Sequence, residues 1–371
     1  KDEIHGTIEF TGLEERIIDS EPFQRLRRIR QMSVTNLVYP GANHTRFEHS
    51  IGTAHLSFVI ARRLGLGKED MAKVKLYGLL HDIGHTAFSH EGEDVVRKYI
   101  GDHEQLGRKL ILDGEIADIL SESYRPQEIA DVGSSAFGSI VASDLGADRM
   151  DYLKRDALNT GVAYGIIDID RIVHTLAMKE GTLCIGKGGL EAAEYLLVAR
   201  FMMFSTVYMH KTVRIATAML YRAMEGAIAD GTLGPEDFAV LDDEGALAAM
   251  LGSAKGGMYA QALRRRRLFK EAYSFPKDGW TEEKAHALER DLSRDTGCEM
   301  IVDFPHEFFK PVGMKIDTPD GLRPMMEMSK LVQSLRQAEE GRMKVLVLAE
   351  EGMKERHSGL IRKMVSSGPR S

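Results

Sequence analysis

The sequence predicts a mainly α-helical protein whose C-terminal part is a smaller lobe of mixed helices and strands. Two observations carry this prediction. Apolar residues recur at helical spacing through most of residues 1–230. Beyond the turn-forming stretch 231–235, strand-like apolar runs appear at residues 299–304 and 344–349. We therefore predict two domains, a helical core over residues 1–230 and an α+β lobe over residues 231–371.

The N-terminal elements are predicted from the spacing of apolar residues and from the positions of Gly and Pro, which interrupt helices and strands. Weak alternation of apolar residues, interrupted by Gly6 and Gly12, predicts a short hairpin over residues 1–15. Residues 14–32 have the spacing of a helix that is broken near Pro22, because proline fixes φ and lacks an N–H donor. Residues 49–64 and 69–81 are predicted as two further helices from their apolar positions.

Two longer helices complete the predicted core. Residues 134–159 form one, which ends at Gly161. Residues 191–228 are nearly free of Gly and Pro and are apolar on more than one face. Such a pattern is typical of a helix buried inside a helical protein. In the C-terminal lobe, residues 324–336 are predicted as a helix between the two strands.

Composition narrows the class of protein. The 371 residues carry a formal charge of −7, with acidic and basic residues interspersed. This charge argues against strong nucleic-acid binding, which needs a basic surface. Two cysteines are too few for a disulfide framework, which fits a reducing compartment. No apolar run is long enough to span a bilayer and no secretory signal opens the chain, so we predict a soluble cytoplasmic protein.

Three separated fragments carry the ligand types of one metal site. They supply His49, the doublet His81-Asp82 and Asp148. Imidazoles and carboxylates together suit a divalent ion such as manganese, iron, zinc or nickel. A lone histidine is more often an ordinary hydrogen-bonded residue, but a polar doublet at the end of an apolar helix is costly without partners. Four ligands leave positions open on a six-coordinate ion, which indicates a catalytic site.

Three further histidines follow the His-Asp doublet. His85, His90 and His103 lie near two acidic residues, Glu93 and Glu104. Non-ligand histidines beside a metal site suggest phosphate contacts and a general acid. The alternative for His103 is a solvated loop residue.

A helical stripe is predicted after the last metal ligand. Asp148, Tyr152 and Asp156 are spaced at i, i+4 and i+8, so they share one face. The stripe offers a ligand, an aromatic wall and a carboxylate that accepts from a sugar hydroxyl. Alternatively, Tyr152 is a core residue and the neighbouring pair Asp151 and Arg155 is a surface ion pair.

The predicted long helix carries two cations that are eleven residues apart, Arg200 and Lys211, with Tyr208 and His210 beside the second. This spacing returns to the same helical face. Buried unpaired cations are expensive, and a polyphosphate would compensate them. The alternative is that they pair with carboxylates or extend their charged ends to the surface.

Together these residues carry a family resemblance that covers most of the chain. The chain resembles the deoxynucleotide triphosphohydrolase branch of the HD superfamily, which includes bacterial dGTPase-like enzymes and the vertebrate SAM-and-HD-domain dNTPase. From these 371 residues we expect the branch of the family that lacks a SAM domain. The motifs occur in the following order: Ile4-His5-Gly6, Phe23-Gln24-Arg25-Leu26-Arg27, Tyr39-Pro40-Gly41-Ala42, Arg46-Phe47-Glu48-His49-Ser50, His81-Asp82-Ile83-Gly84-His85, Phe88-Ser89-His90, Asp151-Tyr152, Tyr208-Met209-His210-Lys211 and Leu268-Phe269-Lys270.

The resemblance implies an HD-domain helical core that hydrolyses a dNTP to deoxynucleoside and inorganic triphosphate, with magnesium accompanying the nucleotide. It implies that the metal is held by His49, His81, Asp82 and Asp148. His103 would protonate the leaving 5′-oxygen and Glu93, often Asp in relatives, would orient it. The implied substrate contacts are Arg46, His85, His90, Arg200, Tyr208 and Lys211 for the phosphates and the pocket, Tyr152 for the sugar, and Gln31 and Asp156 for the 3′-hydroxyl.

The resemblance also implies regulation between subunits of a homo-oligomer, a dimer or a tetramer. The first, guanine-reading part of the effector site, for GTP or dGTP, matches Asp19, Gln24, Arg27 and Arg266; the alternative is that these residues form ordinary ion pairs. The second effector pocket departs from the pattern because small residues stand at Gly186, Gly188 and Ala192, where Lys187 and Arg171 would partly substitute.

Two competing functions remain open from the sequence. Another HD phosphohydrolase, a nucleoside monophosphatase or a cyclic-nucleotide phosphodiesterase, would use the same site on a different substrate. A non-catalytic nucleotide sensor or single-strand nucleic-acid binder is the second. The complete set of ligand and acid residues argues against lost catalysis.

Overall fold

The computed structural model describes residues 1–305, 312–340 and 343–367, so parts of the predicted second domain, 231–371, lie outside the described residues. The helices before the second sheet are α1 (Gly12–Asp19), α2 (Glu21–Arg25), α3 (Arg46–Arg63), α4 (Lys68–Leu80), α5 (Ser89–Ile100), α6 (His103–Leu112), α7 (Glu115–Ser121), α8 (Pro126–Ala130), α9 (Gly138–Val141), α10 (Ala147–Thr160), α11 (Ile169–Thr175), α12 (Leu190–Met203), α13 (Lys211–Ala229), α14 (Asp237–Val240), α15 (Asp243–Met250) and α16 (Gly257–Arg264).

Two small sheets accompany these helices. The strands are β1 (Leu176–Lys179), β2 (Thr182–Gly186), β3 (Lys270–Pro276), β4 (Met300–Asp303), β5 (Lys315–Thr318), β6 (Gly321–Pro324) and β7 (Lys344–Ala349). The remaining helices are α17 (Glu282–Thr296), α18 (Met325–Met328), α19 (Lys330–Glu340) and α20 (Met353–Ser367). One sheet has the order β1-β2-β5-β6 and the other the order β3-β7-β4. The predicted mainly helical fold with a smaller α+β lobe is confirmed.

The central strand of the second sheet shows why its sequence reads as a strand. β7 is antiparallel to both neighbours, with Val347 opposite Tyr273 on β3 and Val302 on β4. All of its residues from Val345 to Ala349 are buried. A central strand covered on both faces is apolar throughout. The strand predictions at 299–304 and 344–349 are therefore confirmed.

The predicted N-terminal hairpin is wrong. The first residues form only an isolated bridge between Asp2 and Gly6, and helix α1 begins at Gly12. Thr11 caps this helix through a capping box with Glu14, in which each side chain bonds the other's backbone N–H. Local capping thus decides the conformation where weak alternation suggested a strand.

Two predicted long helices are interrupted in the structure. Residues 134–159 contain α9 and α10, which are separated by a turn at Gly146, where a Cβ atom would lie 2.3 Å from the Val141 carbonyl oxygen. Residues 191–228 contain α12, a π-helical turn over Phe204–Tyr208, and α13. Because the π turn breaks the α-helical period, Arg200 and Lys211 do not share one helical face as the spacing argument assumed.

The helical part of the chain continues beyond the predicted boundary at residue 231. Helices α14, α15 and α16 follow it, and the first strand of the second sheet starts at Lys270. The first sheet joins early and late segments, because β2 pairs in parallel with β5. The two-domain division stays a prediction. Within the described residues, no helix combines the length and hydropathy that a membrane span needs.

Candidate active site

The four predicted metal ligands converge where α3, α4 and α10 pack together. His49 lies on α3, His81 and Asp82 follow the end of α4, and Asp148 lies in the first turn of α10. The Nε2 atom of His49 is 3.1 Å from Oδ1 of Asp148 and 3.6 Å from Oδ2 of Asp82. The Nε2 atom of His81 is 3.9 Å from the same oxygen of Asp148. Two imidazoles and the Asp148 carboxylate thus surround one small volume, and the Asp82 carboxylate lies beside the two imidazoles.

The free nitrogen atoms of this cluster fit a metal ion. Among the described residues, the buried Nε2 atoms of His49 and His81 have no hydrogen-bond partner. Their other ring nitrogens are held, since Nδ1 of His81 lies 2.8 Å from the Gly78 carbonyl oxygen and Nδ1 of His49 lies 2.8 Å from Oδ2 of Asp151. An outer hydrogen bond at one nitrogen leaves the lone pair of the other for a metal. The cluster is therefore suited to a divalent ion.

The electrostatics of the cluster also favour a cation. Burial lowers the pKa of His49, but the carboxylates of Asp148 and Asp151, at 3.1 and 2.8 Å from its ring nitrogens, and the charge of Asp82 outweigh burial and raise this pKa to about 10. Burial raises the pKa of Asp82, whereas the electrostatic influence of His81 and the positive charge of Arg46 lower it well below the ordinary value. The carboxylates of Asp82 and Asp148 therefore stay ionised, and a positive ion bound between them is stabilised by their charge.

Asp151 supports the candidate metal site by contacting the outer ring nitrogen of His49, a role that was not predicted from the sequence. Its carboxylate is fully buried and lies 2.7 Å from Nε2 of His5 and 2.8 Å from Nδ1 of His49. Arg155 donates two hydrogen bonds to it, each 2.9 Å long. The alternative of a surface ion pair is therefore wrong for Asp151 and Arg155. The signal was available, because Asp151 lies one helical turn after Asp148 and shares its face.

A glycine on α3 makes room for this carboxylate. A Cβ atom at Gly52 would lie 1.9 Å from Oδ1 of Asp151 and 2.6 Å from Nη2 of Arg155. We expect Gly52→Ala to lower the free energy of unfolding by about 1–3 kcal/mol, as overpacking does, and to weaken metal binding. Chemical denaturation and metal titration measure both. The matched control is Gly359→Ala on α20, where a Cβ atom meets nothing within 4 Å; an equal loss there would contradict this explanation.

A second cluster lies beside the first and contains His85, His90, Glu93 and His103. The rings of His85 and His103 are stacked with centroids 4.1 Å apart, and those of His85 and His90 are 4.8 Å apart. Nδ1 of His103 lies 2.5 Å from Oε2 of Glu93. Gly84 permits this approach, because a Cβ atom there would lie 2.2 Å from the His103 carbonyl oxygen. His103 is only partly exposed, so it is not a solvated loop residue.

The charges around the second cluster suit an anion. Arg46 is buried and donates to Oδ2 of Asp82 at 2.7 Å, so its positive charge lies beside the histidines. Burial and Arg46 together hold the pKa of His85 well below its usual range and lower that of His90 to about 4. Both ring nitrogens of buried His85 lack a partner among the described residues. Four ligand-type groups also gather there, but the adjacent guanidinium disfavours a second cation.

A carboxylate on α10 is held at the predicted sugar end of the stripe. Asp156 is buried, and Tyr208 donates to its Oδ2 at 2.7 Å while Nε2 of His44 lies 2.7 Å from its Oδ1. His44 was not predicted. The Tyr152 ring lies 6.5 Å from that of His49, centroid to centroid, and also packs against the helical core. The Oε1 atom of Gln31 is buried without a partner in the described part of the chain.

The two predicted phosphate cations have different surroundings. Nζ of Lys211 lies 3.1 Å from Oε2 of Glu271, and the lysine side chain is 58% exposed. Lys211 thus pairs with a carboxylate at the surface, which is the alternative to phosphate binding given above. Burial raises the pKa of Tyr152 and Tyr208, and the nearby positive charge of Arg200 opposes that shift. Arg200 thus lies close to the stripe on α10.

The four predicted effector residues are placed on two segments. Asp19 ends α1 and is exposed. Arg27 donates to Oε1 of Gln24 at 2.9 Å, and its guanidinium lies 3.5 Å from the centre of the Phe47 ring. Arg266 has a positive φ of 52° and donates to a backbone carbonyl at 2.6 Å. A joint role for these residues stays a prediction.

The region matched to the second effector pocket is built from small residues. Gly186 ends β2, Gly188 lies in a short 3-10 turn with Lys187, and Ala192 lies in the first turn of α12. Nη2 of Arg171 donates to the Gly188 carbonyl at 2.5 Å. The arginine that would substitute for the missing basic residues is therefore engaged with the backbone of the pocket.

Comparison with known proteins agrees with this geometry. Residues 46–157 match the HD domain, and residues 167–366 match the HD associated region. An uncharacterized protein of Methanocaldococcus jannaschii is 38% identical over 357 residues, which cover 91% of this chain and 76% of that protein. The deoxynucleoside triphosphate triphosphohydrolase SAMHD1 homolog of Dictyostelium discoideum is 29% identical over 273 residues, or 65% of this chain and 52% of that protein. The crystal structure of a phosphohydrolase from Bacteroides thetaiotaomicron has a TM-score of 0.75 at 25% identity, covering 94% of this chain and 98% of that one.

Proposed function

Because this chain belongs to the HD-domain family of metal-dependent phosphohydrolases, we propose that it hydrolyses deoxynucleoside triphosphates to deoxynucleoside and inorganic triphosphate. The observation that carries the proposal is the stripe on α10. One rigid helix presents Asp148 to the metal cluster and Asp156 to a group with Tyr208 and His44. A substrate that spans both needs a phosphate at one end and a hydroxyl-bearing group at the other. A nucleotide has both.

The metal would be held by His49, His81, Asp82 and Asp148, whose free nitrogens and ionised carboxylates fit it. We propose manganese, iron, zinc or nickel from the mixed ligand set, with magnesium accompanying the nucleotide. When bound, such an ion supplies Lewis-acid activation of water and of a phosphoryl oxygen.

His103 is the proposed acid of the reaction. Its hydrogen bond to Glu93 fixes the orientation of the ring and favours the protonated form. Water forms a new bond to the α-phosphorus and the bond from that phosphorus to the 5′-oxygen breaks. His103 in its protonated form donates a proton to this leaving oxygen, and the deoxynucleoside departs with a neutral hydroxyl. A general acid placed in this way typically contributes ~10²–10⁴ in rate.

The phosphate chain is proposed to lie along the second cluster. Arg46 and His85 offer donors in a buried environment, where each hydrogen bond to an anion is strengthened, and His90 offers another from an exposed position beside them. Arg200 extends this positive region toward Tyr208. Lys211 joins only by exchanging its Glu271 partner for a phosphate oxygen.

Product analysis tests the proposal. Each dNTP and NTP is incubated with the protein and Mn²⁺, and the phosphate products are separated. Inorganic triphosphate and deoxynucleoside are expected as the first products. Pyrophosphate or orthophosphate as the first product contradicts the proposal. Turnover of only nucleoside monophosphates or cyclic nucleotides assigns the site to the corresponding other class of HD phosphohydrolase.

Sugar selection is expected to depend on Tyr152. We propose that its ring occupies the space of a 2′-hydroxyl, while Asp156 and Gln31 read the 3′-hydroxyl. The ratio of kcat/KM for a dNTP over the matching NTP is expected to exceed about tenfold and to fall in Tyr152→Ala. Tyr195→Ala, which removes an exposed tyrosine from α12, is the control. Equal rates on both sugars in the unaltered protein would refute this role.

Guanine-nucleotide activation of a homo-oligomer, a dimer or a tetramer, is proposed at Asp19, Gln24, Arg27 and Arg266. Forked hydrogen bonds from arginine suit the phosphates of GTP or dGTP. Added GTP is expected to raise the rate of dNTP hydrolysis. Arg27→Ala is expected to remove that response and to lower the oligomer mass measured by light scattering. Arg28→Ala is the neighbouring control. No response to GTP, with rate and mass unchanged in Arg27→Ala, would eliminate the site.

A further inference from the structure

The segment that carries His85 and His90 contains two strained residues. Phe88 has φ 66° and Ser89 has φ 57°, although neither is a glycine. Left-handed backbone at such residues costs roughly 1–3 kcal/mol each and persists only where surrounding groups fix it. Both residues are buried. Surrounding groups must therefore hold this turn.

The side chain of Asp243 holds the turn by accepting hydrogen bonds from backbone N–H groups. Its Oδ1 atom accepts from the Phe88 N–H at 2.7 Å, and its Oδ2 atom accepts from the Arg30 N–H at 3.0 Å. The aspartate is 1% exposed. A carboxylate is the side chain that offers two acceptor oxygens to two buried backbone donors. Ser89 closes the same contact, because its hydroxyl donates to the Arg30 carbonyl at 2.7 Å.

Other contacts join the same two segments. The Ala87 N–H donates to the Phe238 carbonyl at 2.8 Å. Arg25 donates to the His85 carbonyl at 2.9 Å and, through its other nitrogens, to the Val240 and Leu241 carbonyls at 3.0 and 2.9 Å. Residues 238–243 therefore hold the histidine-bearing segment at three places: at His85 through Arg25, at Ala87, and at the strained turn that begins at Phe88.

We propose that Asp243 is a positioning residue for this active site: it holds the left-handed turn at Phe88 and Ser89 and thereby fixes where His85 and His90 lie. The inference rests on the proposed function only in that these histidines receive phosphate. Asp243 belongs to the part of the chain that matches the HD associated region, outside the HD domain match. The associated region thus completes a site whose ligands all come from the HD domain.

The turn also connects to the metal cluster. Nε of Arg46 donates to the Ser89 hydroxyl at 2.9 Å, and Nη1 of the same guanidinium bonds Asp82. A shift of the turn would move Arg46 and both histidines together. Displacements of about 1 Å in groups that bind substrate can reduce the rate ~10²-fold. The four metal ligands lie outside the turn, so metal binding is not expected to change.

The test compares Asp243→Ala, Asp243→Asn and Glu244→Gln in the full chain. Glu244 is adjacent and also pairs with Arg30, but it is 70% exposed and does not touch the turn. For each variant, kcat and KM are measured, bound metal is determined by elemental analysis, and backbone amide exchange is followed by mass spectrometry. Asp243→Ala is expected to lower kcat/KM ten- to hundredfold, with unchanged metal and faster exchange confined to residues 85–90 and 30.

Asp243→Asn keeps the shape and one acceptor oxygen for two donors, so a severalfold loss with the same local exchange is expected. If the alanine variant does not fold, the result for Asp243→Asn decides whether the proposal holds. The proposal is overturned if either folded variant keeps normal kcat/KM and normal exchange at residues 85–90, or if exchange rises throughout the protein. The exchange result needs no substrate, so it separates failure of this inference from failure of the proposed dNTP hydrolysis, which product analysis reports.

Discussion

Asp148→Ala is expected to remove the bound metal and abolish turnover while leaving the helical fold intact. The carboxylate of Asp148 faces both nitrogens that are proposed to bind the metal, at 3.1 Å from Nε2 of His49 and 3.9 Å from Nε2 of His81. Its loss removes a charged ligand and leaves two imidazoles with one carboxylate. The side chain is 33% exposed, so its removal leaves little cavity in the core. Elemental analysis, activity and circular dichroism measure the three outcomes.

The matched control for this substitution is Asp170→Ala, which removes an exposed carboxylate from α11. It is expected to retain metal, activity and helicity. Unchanged metal in Asp148→Ala would remove Asp148 from the ligand set, whatever happened to the rate. Loss of metal in both variants would show that the measurement reports nonspecific binding to carboxylates rather than a site.

His103→Gln is expected to lower kcat by about 10²–10⁴ without changing the metal content. Its ring stacks on His85 and bonds Glu93, but it makes no contact with the four metal ligands that would explain a loss of the ion. Glutamine keeps the length and a hydrogen-bonding end but cannot donate an acidic proton. An unaltered kcat in this variant would exclude His103 as the acid.

The pH profile gives the same role a second readout. Burial lowers the pKa of His103, but the hydrogen bond to Glu93 outweighs it and raises this pKa above the ordinary value. The acid form therefore persists to higher pH than in an ordinary histidine, and the rate falls as pH rises through the raised pKa. In Glu93→Gln the cause of the rise is gone, so this alkaline decline is expected at lower pH. A decline at the same pH in both proteins would assign it to another group.

The convergence of the four proposed metal ligands could be predicted from sequence because each residue stands out in its own local context. A His-Asp doublet after the apolar run Gly78-Leu79-Leu80 has no inexpensive role in a core, and this reasoning does not require knowledge of the fold. His5 was not predictable in the same way. It lies 146 residues from Asp151, and such a long-range pair leaves no periodicity or spacing in the chain.

The failures of the sequence analysis have physical reasons too. Arg200 and Lys211 would share one face only on a continuous α-helix. The π turn over Phe204–Tyr208 changes the number of residues per helical turn. The sequence gives no sign of this change, since the stretch has neither Gly nor Pro. Asp243 escaped notice because its partners are backbone N–H groups, whose positions depend on a strained turn that no residue type marks.

The parallel pairing of β2 with β5 has a consequence for attempts to divide this protein. Cys184, Ile185 and Gly186 lie opposite Lys315, Ile316 and Asp317. Cutting the chain near residue 231 would strip β2 of this neighbour and leave its peptide groups open. An unprotected sheet edge recruits strands from other molecules. An N-terminal fragment that contains all four metal ligands is therefore expected to self-associate and precipitate, and mixing it with its C-terminal complement should restore a monodisperse protein.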